Sequence, residues 1–328
     1  MAWVIDEKTV TAVKLKTTGE KIRNNVAFLR GSIEHQIPAD DVAGALYADL
    51  VAPLNPYIHH NNLVIVPHGS LHYLPFAALW DATNKHYLLQ DYTITYVPSA
   101  SILPLSQVRR NPNQNRLLVM ANNPDGSLPE ANSEAKAVAQ QYKATPLLDK
   151  QATKASFLKN ANKYDLIHVA AHGHYDVVNP LASSIELAAT GTITGSLPVS
   201  EVFGLSLSNA NLVVLSACKT DLGAQSMGDE ITGLTRAFLY AGTPSIITTL
   251  WSIEDKASGT LMISFYQHLR TEKSSVAAAL RAAQLEVLNK DGWHDPYYWA
   301  AFTLNGDYLG SGDPKPLPTN LFQDNSND

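Results

Sequence analysis

The stretch YDLIHVAAHGHYD, residues 164–176, places three histidines within seven positions at the end of an apolar run. On a helix, His168 and His172 would be neighbours at i and i+4 and could share a metal ion. On a strand they lie about 13 Å apart, four residues at roughly 3.3 Å each, too far to chelate one zinc with bonds near 2.1 Å. The run is short, carries the β-branched Ile167 and Val169, and is stopped by Gly173, so the reading is a buried strand ending at His172. A loop site of His172, His174 and Asp176 is the remaining metal alternative; no metal is expected.

Outward from this strand the text alternates short apolar runs with helical patterns, the mark of βαβ units and a mostly parallel sheet. RLLVMAN (116–122) reads as a strand, EANSEAKAVAQQY (130–142) as its helix, and TPLLD (145–149) as a short strand. TKASFLKNAN reads as a helix capped by Thr153. NLVVLSAC (211–218) is another buried strand, Gly233 to Tyr240 a helix closed by Gly242 and Pro244, and SIITTLW (245–251) a further strand. Two amphipathic helices follow, one lined by Leu261, Met262, Phe265 and Leu269, the other by Val276, Leu280, Ala283 and Val287. PYYWAAFTLNG supplies a last strand.

Residues 1–112 read as a smaller α/β subdomain: helices over Gly19 to Gln36 and Asp40 to Leu54, then NLVIVPHGSLHYLPFAAL as strand, turn and strand. RRNPNQN (109–115) is a linker candidate. Residues 113–310 form the main domain, and 311–328 lack periodicity and are expected to be disordered.

Composition narrows the function classes. With 328 residues, 45% of them hydrophobic, and a net charge of −6, the chain can bury a large core. It shows no basic footprint for nucleic acid or an anionic membrane. No apolar stretch reaches the roughly 20 residues of a spanning helix, and the start lacks a signal-peptide pattern, so a cytoplasmic setting is expected. The one cysteine, Cys218, excludes an internal disulfide and a thiolate-rich zinc site.

Ligands in an open parallel sheet collect beyond the carboxyl ends of the strands. His172 and Cys218 both stand at such ends, and His172 is followed directly by glycine. Were the two strands neighbours, a thiol and an imidazole would meet, the minimum set for a cysteine nucleophile. Gly173 and Cys218 N–H groups would then hold the oxyanion. The plain alternatives stay open: a lone cysteine as a small inert core residue, and a histidine bonded only to a loop.

Six stretches, YDLIHVAAHGHYD, NPLASSIEL, NLVVLSACKTDLG, GLTRAFLYAG, SIITTLWSIEDKA and DPYYWAAFTLNGD, resemble in order and spacing the CHAT domain, a caspase-like family of cysteine peptidases related to separase. LVIVPHGSLHYLPFAAL and YTITYVPSAS resemble that family's N-terminal region. The resemblance implies a caspase-hemoglobinase fold, a mostly parallel central sheet with flanking helices, preceded by a smaller degenerate caspase-like subdomain. It implies an endopeptidase with a Cys-His dyad, Cys218 as nucleophile and His172 as base, Gly173 in the oxyanion hole, and no cofactor. Bacterial relatives of this kind serve antiviral defence or regulated cell death, beside CRISPR effectors or with gasdermin-type targets. The expected partners are a protein cleaved in a flexible segment and an upstream sensor or tetratricopeptide-repeat region, of which this chain carries no repeat. A catalytically idle interaction module is the alternative. His68, in a second HG pair without a cysteine to serve, reads as structural. For the pocket that receives the side chain before the cleaved bond (P1), the side chains at hand are Asn122, Asn123 and Asp125 after the first main strand and Glu254 and Asp255 after SIITTLW. The last two suit a basic residue, or simply favour a helix N-terminus.

Overall fold

The computed structural model describes residues 1–6, 8–110, 116–174, 176, 178–216, 229–271 and 274–309, with the backbone alone at 229–232. Cys218, most of the linker candidate and the segment 311–328 lie outside the described residues. In chain order the strands are β1 (Ala2–Ile5), β2 (Val10–Val13), β3 (Asn62–Ile65), β4 (Trp80–Asp81), β5 (His86–Tyr87), β6 (Thr93–Tyr96), β7 (Leu117–Asn122), β8 (Leu147–Leu148), β9 (Leu166–Ala171), β10 (Gly173–His174), β11 (Ser184–Glu186), β12 (Ser196–Pro198), β13 (Leu212–Ser216), β14 (Ser245–Thr249) and β15 (Phe302–Gly306). The helices are α1 (Gly19–Glu34), α2 (Asp40–Leu50), α3 (Leu88–Asp91), α4 (Ile102–Arg109), α5 (Ala131–Tyr142), α6 (Lys154–Asn160), α7 (Val199–Val202), α8 (Asp229–Ala241), α9 (Asp255–Thr271) and α10 (Val276–Leu288).

Eight strands form the central sheet in the order β3-β6-β15-β14-β13-β9-β7-β8. Only the β14–β15 pairing is antiparallel. The central strands β7, β9 and β13, buried on both faces, read as continuous apolar runs, as parallel strands do. Their alternate residues serve two cores: Leu117, Val119, Leu166, Ala170, Leu212 and Val214 meet α5, α9 and α10, while Leu118, Ile167, Val169, Val213 and Leu215 meet α6, α7 and α8.

The segment 1–112 adds β3 and β6 to one side of this sheet, β6 meeting β15 through Asn305 opposite Tyr96. Within it, PHGSLHYLPFAAL is not the expected turn and strand. It forms 3-10 turns at Gly69–Tyr73 and Phe76–Ala78, because Pro67 and Pro75 remove ladder donors and fix φ. The Thr153 cap is as expected, its side chain accepting from Ser156 N–H at 3.0 Å. At the end of α8, Gly242 takes φ +119, and a Cβ there would stand 3.1 Å from Ser208 N, so glycine is required. Among the described residues no helix is long and apolar enough to cross a membrane.

Candidate active site

β9 pairs with β13 so that Ala170 lies opposite Ser216, and with β7 so that Ala171 lies opposite Asn122. The carboxyl ends of three adjacent strands therefore meet at one edge. His172 leaves that edge with its side chain mostly buried, and its carbonyl accepts a hydrogen bond from Glu186 N–H at 2.8 Å.

That bond begins the three-stranded sheet β10-β11-β12, in which Gly173 lies opposite Ile185. Because the preceding pair, His172 with Glu186, is hydrogen-bonded, antiparallel alternation turns the Gly173 N–H out of the ladder. Asn122 is buried and donates to the Glu186 carbonyl at 2.9 Å, tying β7 to this small sheet.

The imidazole is held by the loop after β7. Its Nε2 stands 2.7 Å from Ser127 Oγ and 3.2 Å from Asp125 Oδ1. The sequence NPDGS, 123–127, builds this loop. Pro124 occupies the second place of a turn closed by Gly126 N–H to the Asn123 carbonyl, and Asn123 Oδ1 accepts from Leu128 N–H at 2.9 Å. Asp125 Oδ1 accepts from both the amide (3.0 Å) and the hydroxyl (2.7 Å) of Ser127. The Ser127 hydroxyl, then its amide, then His172 hold the Asp125 carboxyl well below the usual carboxylate range. Ser127 went unnoticed in the sequence; the turn-forming NPDGS string was the signal that could have found it.

Asp255 begins α9 and accepts a hydrogen bond from Glu130 N–H. Burial raises its pKa first of all; Glu134 and Glu130 add to that, while the Glu130 amide and His172 oppose it. Asp255 thus lies within electrostatic reach of His172. Glu254 is exposed, its carbonyl closing the first turn of α9 through Ser258 N–H at 3.0 Å, and it influences Tyr297 instead. Ser216 and Ser258 hydroxyls, 3.2 Å apart, fasten the end of β13 to α9.

The other two histidines of the opening stretch lie in different surroundings. His168 is fully buried, and its Nε2 lies 2.9 Å from Glu134 Oε1 without the alignment of a formed hydrogen bond. His174 is exposed on β10, and His68 is exposed as well. Among the described residues no group of three or more His, Cys, Asp or Glu side chains is placed to hold a metal ion.

An eight-stranded, mostly parallel sheet with a histidine at a central strand end, overlaid by a small antiparallel sheet, defines the class of caspase-like α/β proteins. Comparison with solved structures agrees. The gingipain R Arg-specific cysteine proteinase superposes with a TM-score of 0.54 at 13% identity, over 88% of this chain and 74% of that one. Separase from the Saccharomyces cerevisiae separase–securin complex gives 0.50 at 19% identity, over 73% of this chain and 15% of that one. The CHAT domain profile matches residues 40–307, and the chain belongs to the CHAT-domain family. Tetratricopeptide repeat protein 28 of mouse and of human are each 26% identical to it across 83% of this chain. The chain spans 13% of the length of these relatives.

Proposed function

We propose that this chain is a cysteine endopeptidase in which Cys218 is the nucleophile and His172 its base and acid. One observation carries the reading. Ala170 and Ser216 are register partners on adjacent parallel strands, and His172 and Cys218 each follow their partner by two residues. Chain connectivity keeps the Cys218 Cα within about 7.6 Å of the Ser216 Cα, and neighbouring strands lie roughly 4.8 Å apart.

In this mechanism His172 takes the thiol proton, and the thiolate attacks the peptide carbonyl. The Gly173 N–H, free of the β10–β11 ladder, and the Cys218 N–H stabilise the oxyanion. His172 then returns the proton to the leaving amine. Water releases the acyl group in the second half. Asp255, half-buried in the same crevice, pairs the P1 side chain of the substrate, which selects Arg or Lys. Glu254, exposed just before α9 and acting on Tyr297, is left out of this proposed pairing.

Residues 113–310 carry this chemistry, and 1–112 are a catalytically silent caspase-like portion. The substrate is a protein segment able to extend into the crevice, and a defence or cell-death setting belongs to the same proposal. A peptide library treated with the purified chain tests the reading. Cleavage after Arg or Lys is expected, absent from Cys218→Ala and His172→Ala; cleavage persisting in both variants removes the dyad.

A second reading has its own support. The matched relatives are named for tetratricopeptide repeats, which points to an interaction module that uses the crevice without cutting. In that case no peptide is cleaved by the wild-type chain, and partner capture is unchanged by Cys218→Ala.

A further inference from the structure

We infer that Asp125 and Ser127 form a positioning pair that locks His172 in its Nε2–H tautomer and reserves Nδ1 for the nucleophile; this rests on the peptidase reading above. The inference follows from counting protons. Ser127 Oγ has one hydrogen, and its 2.7 Å bond to Asp125 Oδ1 uses it, because an ionised carboxylate can only accept. The 2.7 Å contact between Ser127 Oγ and His172 Nε2 therefore needs its hydrogen from the ring. The 3.2 Å contact from Nε2 to Asp125 Oδ1 makes the same demand. A neutral imidazole carries one N–H, so when that hydrogen is on Nε2 the Nδ1 lone pair is free.

Asp125 is ionised over the working range, since Ser127 and His172 hold its carboxyl low. When Nδ1 takes the thiol proton, the S–H bond breaks, an N–H bond forms, and the ring becomes cationic. Asp125 is the carboxylate in contact with this new charge, and Asp255 lies within electrostatic reach of it. Its side chain is 58% exposed, so water competes with it. What the pair supplies is orientation, and the NPDGS turn prepays for it: Asp125 Oδ1 is already fixed by the amide and hydroxyl of Ser127. This role asks for no contact with the substrate.

The test is long-range 15N–1H correlation on the full chain with labelled histidine, with His172→Gln identifying the resonance. At a pH where the ring is neutral, the wild type is expected to show Nε2–H for His172. Asp125→Ala and Ser127→Ala, both on an exposed turn, are expected to give mixed tautomers, and Asp125→Asn to keep most of the wild-type pattern. With a cleavable peptide, the two alanine variants should lose roughly tenfold to a hundredfold in kcat with KM unchanged. A wild-type Nδ1–H ring, or an unaltered Nε2–H ring in the double variant Asp125→Ala with Ser127→Ala, overturns the inference. Because the tautomer is read without substrate, failure of the peptidase reading shows separately, as absent cleavage by the wild type.

Discussion

His168 Nε2 and Glu134 Oε1 stand 2.9 Å apart with both side chains sealed from solvent, His168 lying on β9 four residues before His172, which follows the strand's end. Tyr266 closes the site, its ring 5.5 Å from that of His168 and its own hydroxyl buried. The pair joins α5 and α9 to the strand that presents the base. Removing one member strands the other's polar atoms in a dry core, whereas replacing both with apolar groups does not. Glu134→Leu or His168→Leu alone should cost about 3–5 kcal/mol in urea unfolding, and the double substitution should recover most of it. Simple additivity of the two losses would show that the residues act independently.

The depressed pKa of Asp125 gives a pH dependence of definite sign. A carboxyl whose folded value lies below its unfolded value of 3.8 contributes fully above that unfolded value and loses its contribution as pH falls through the folded one. The 13Cγ resonance of Asp125 should therefore titrate with a midpoint below 3.8, and in Ser127→Ala the midpoint should rise towards it. A midpoint at or above 3.8 in the wild type contradicts the hydrogen-bond pattern.

Gly126 sits at φ +74 with open space where a Cβ would go, so the cost of a side chain there is backbone strain alone. Gly126→Ala should destabilise the fold by about 1–2 kcal/mol and disturb the Asp125–Ser127 geometry. Thermal melting reads the first effect. A shift of the His172 ring resonances reads the second.

Much of this architecture was legible before any coordinates. Apolar runs bounded by glycine and proline marked β7, β9, β13 and β14, because buried parallel strands need nothing polar along their length. The Thr153 cap and the α9 and α10 faces were equally open, since a 3.6-residue period survives without tertiary help. What escaped depended on contacts distant in sequence. The β10-β11-β12 sheet is built of strands two or three residues long, too short for a period to register. The 3-10 turns after Pro67 were hidden because LHYLPFAAL is as apolar as a strand. Asp125 stood out as a charge near a strand end, but its union with Ser127 and His172 spans 47 positions and is decided by the turn.

Asp255 carries a prediction about selectivity. With its carboxyl replaced, a cationic P1 side chain would enter a crevice with no partner. Asp255→Asn should lower kcat/KM for Arg and Lys peptides by more than tenfold while barely changing that for apolar P1 residues. Equal loss across all peptides would instead mark Asp255 as an anchor for the α5 and α9 termini through Glu130.

The central claim is that Cys218 and His172 act on each other, and the chain's single cysteine permits a direct measurement. The rate of iodoacetamide alkylation at neutral pH reports on the Cys218 thiolate alone. The account predicts that the wild type reacts at least about tenfold faster than His172→Ala at neutral pH, with a pH profile displaced to lower pH than that of the variant. Equal rates in the two proteins, both matching a free thiol, would contradict it.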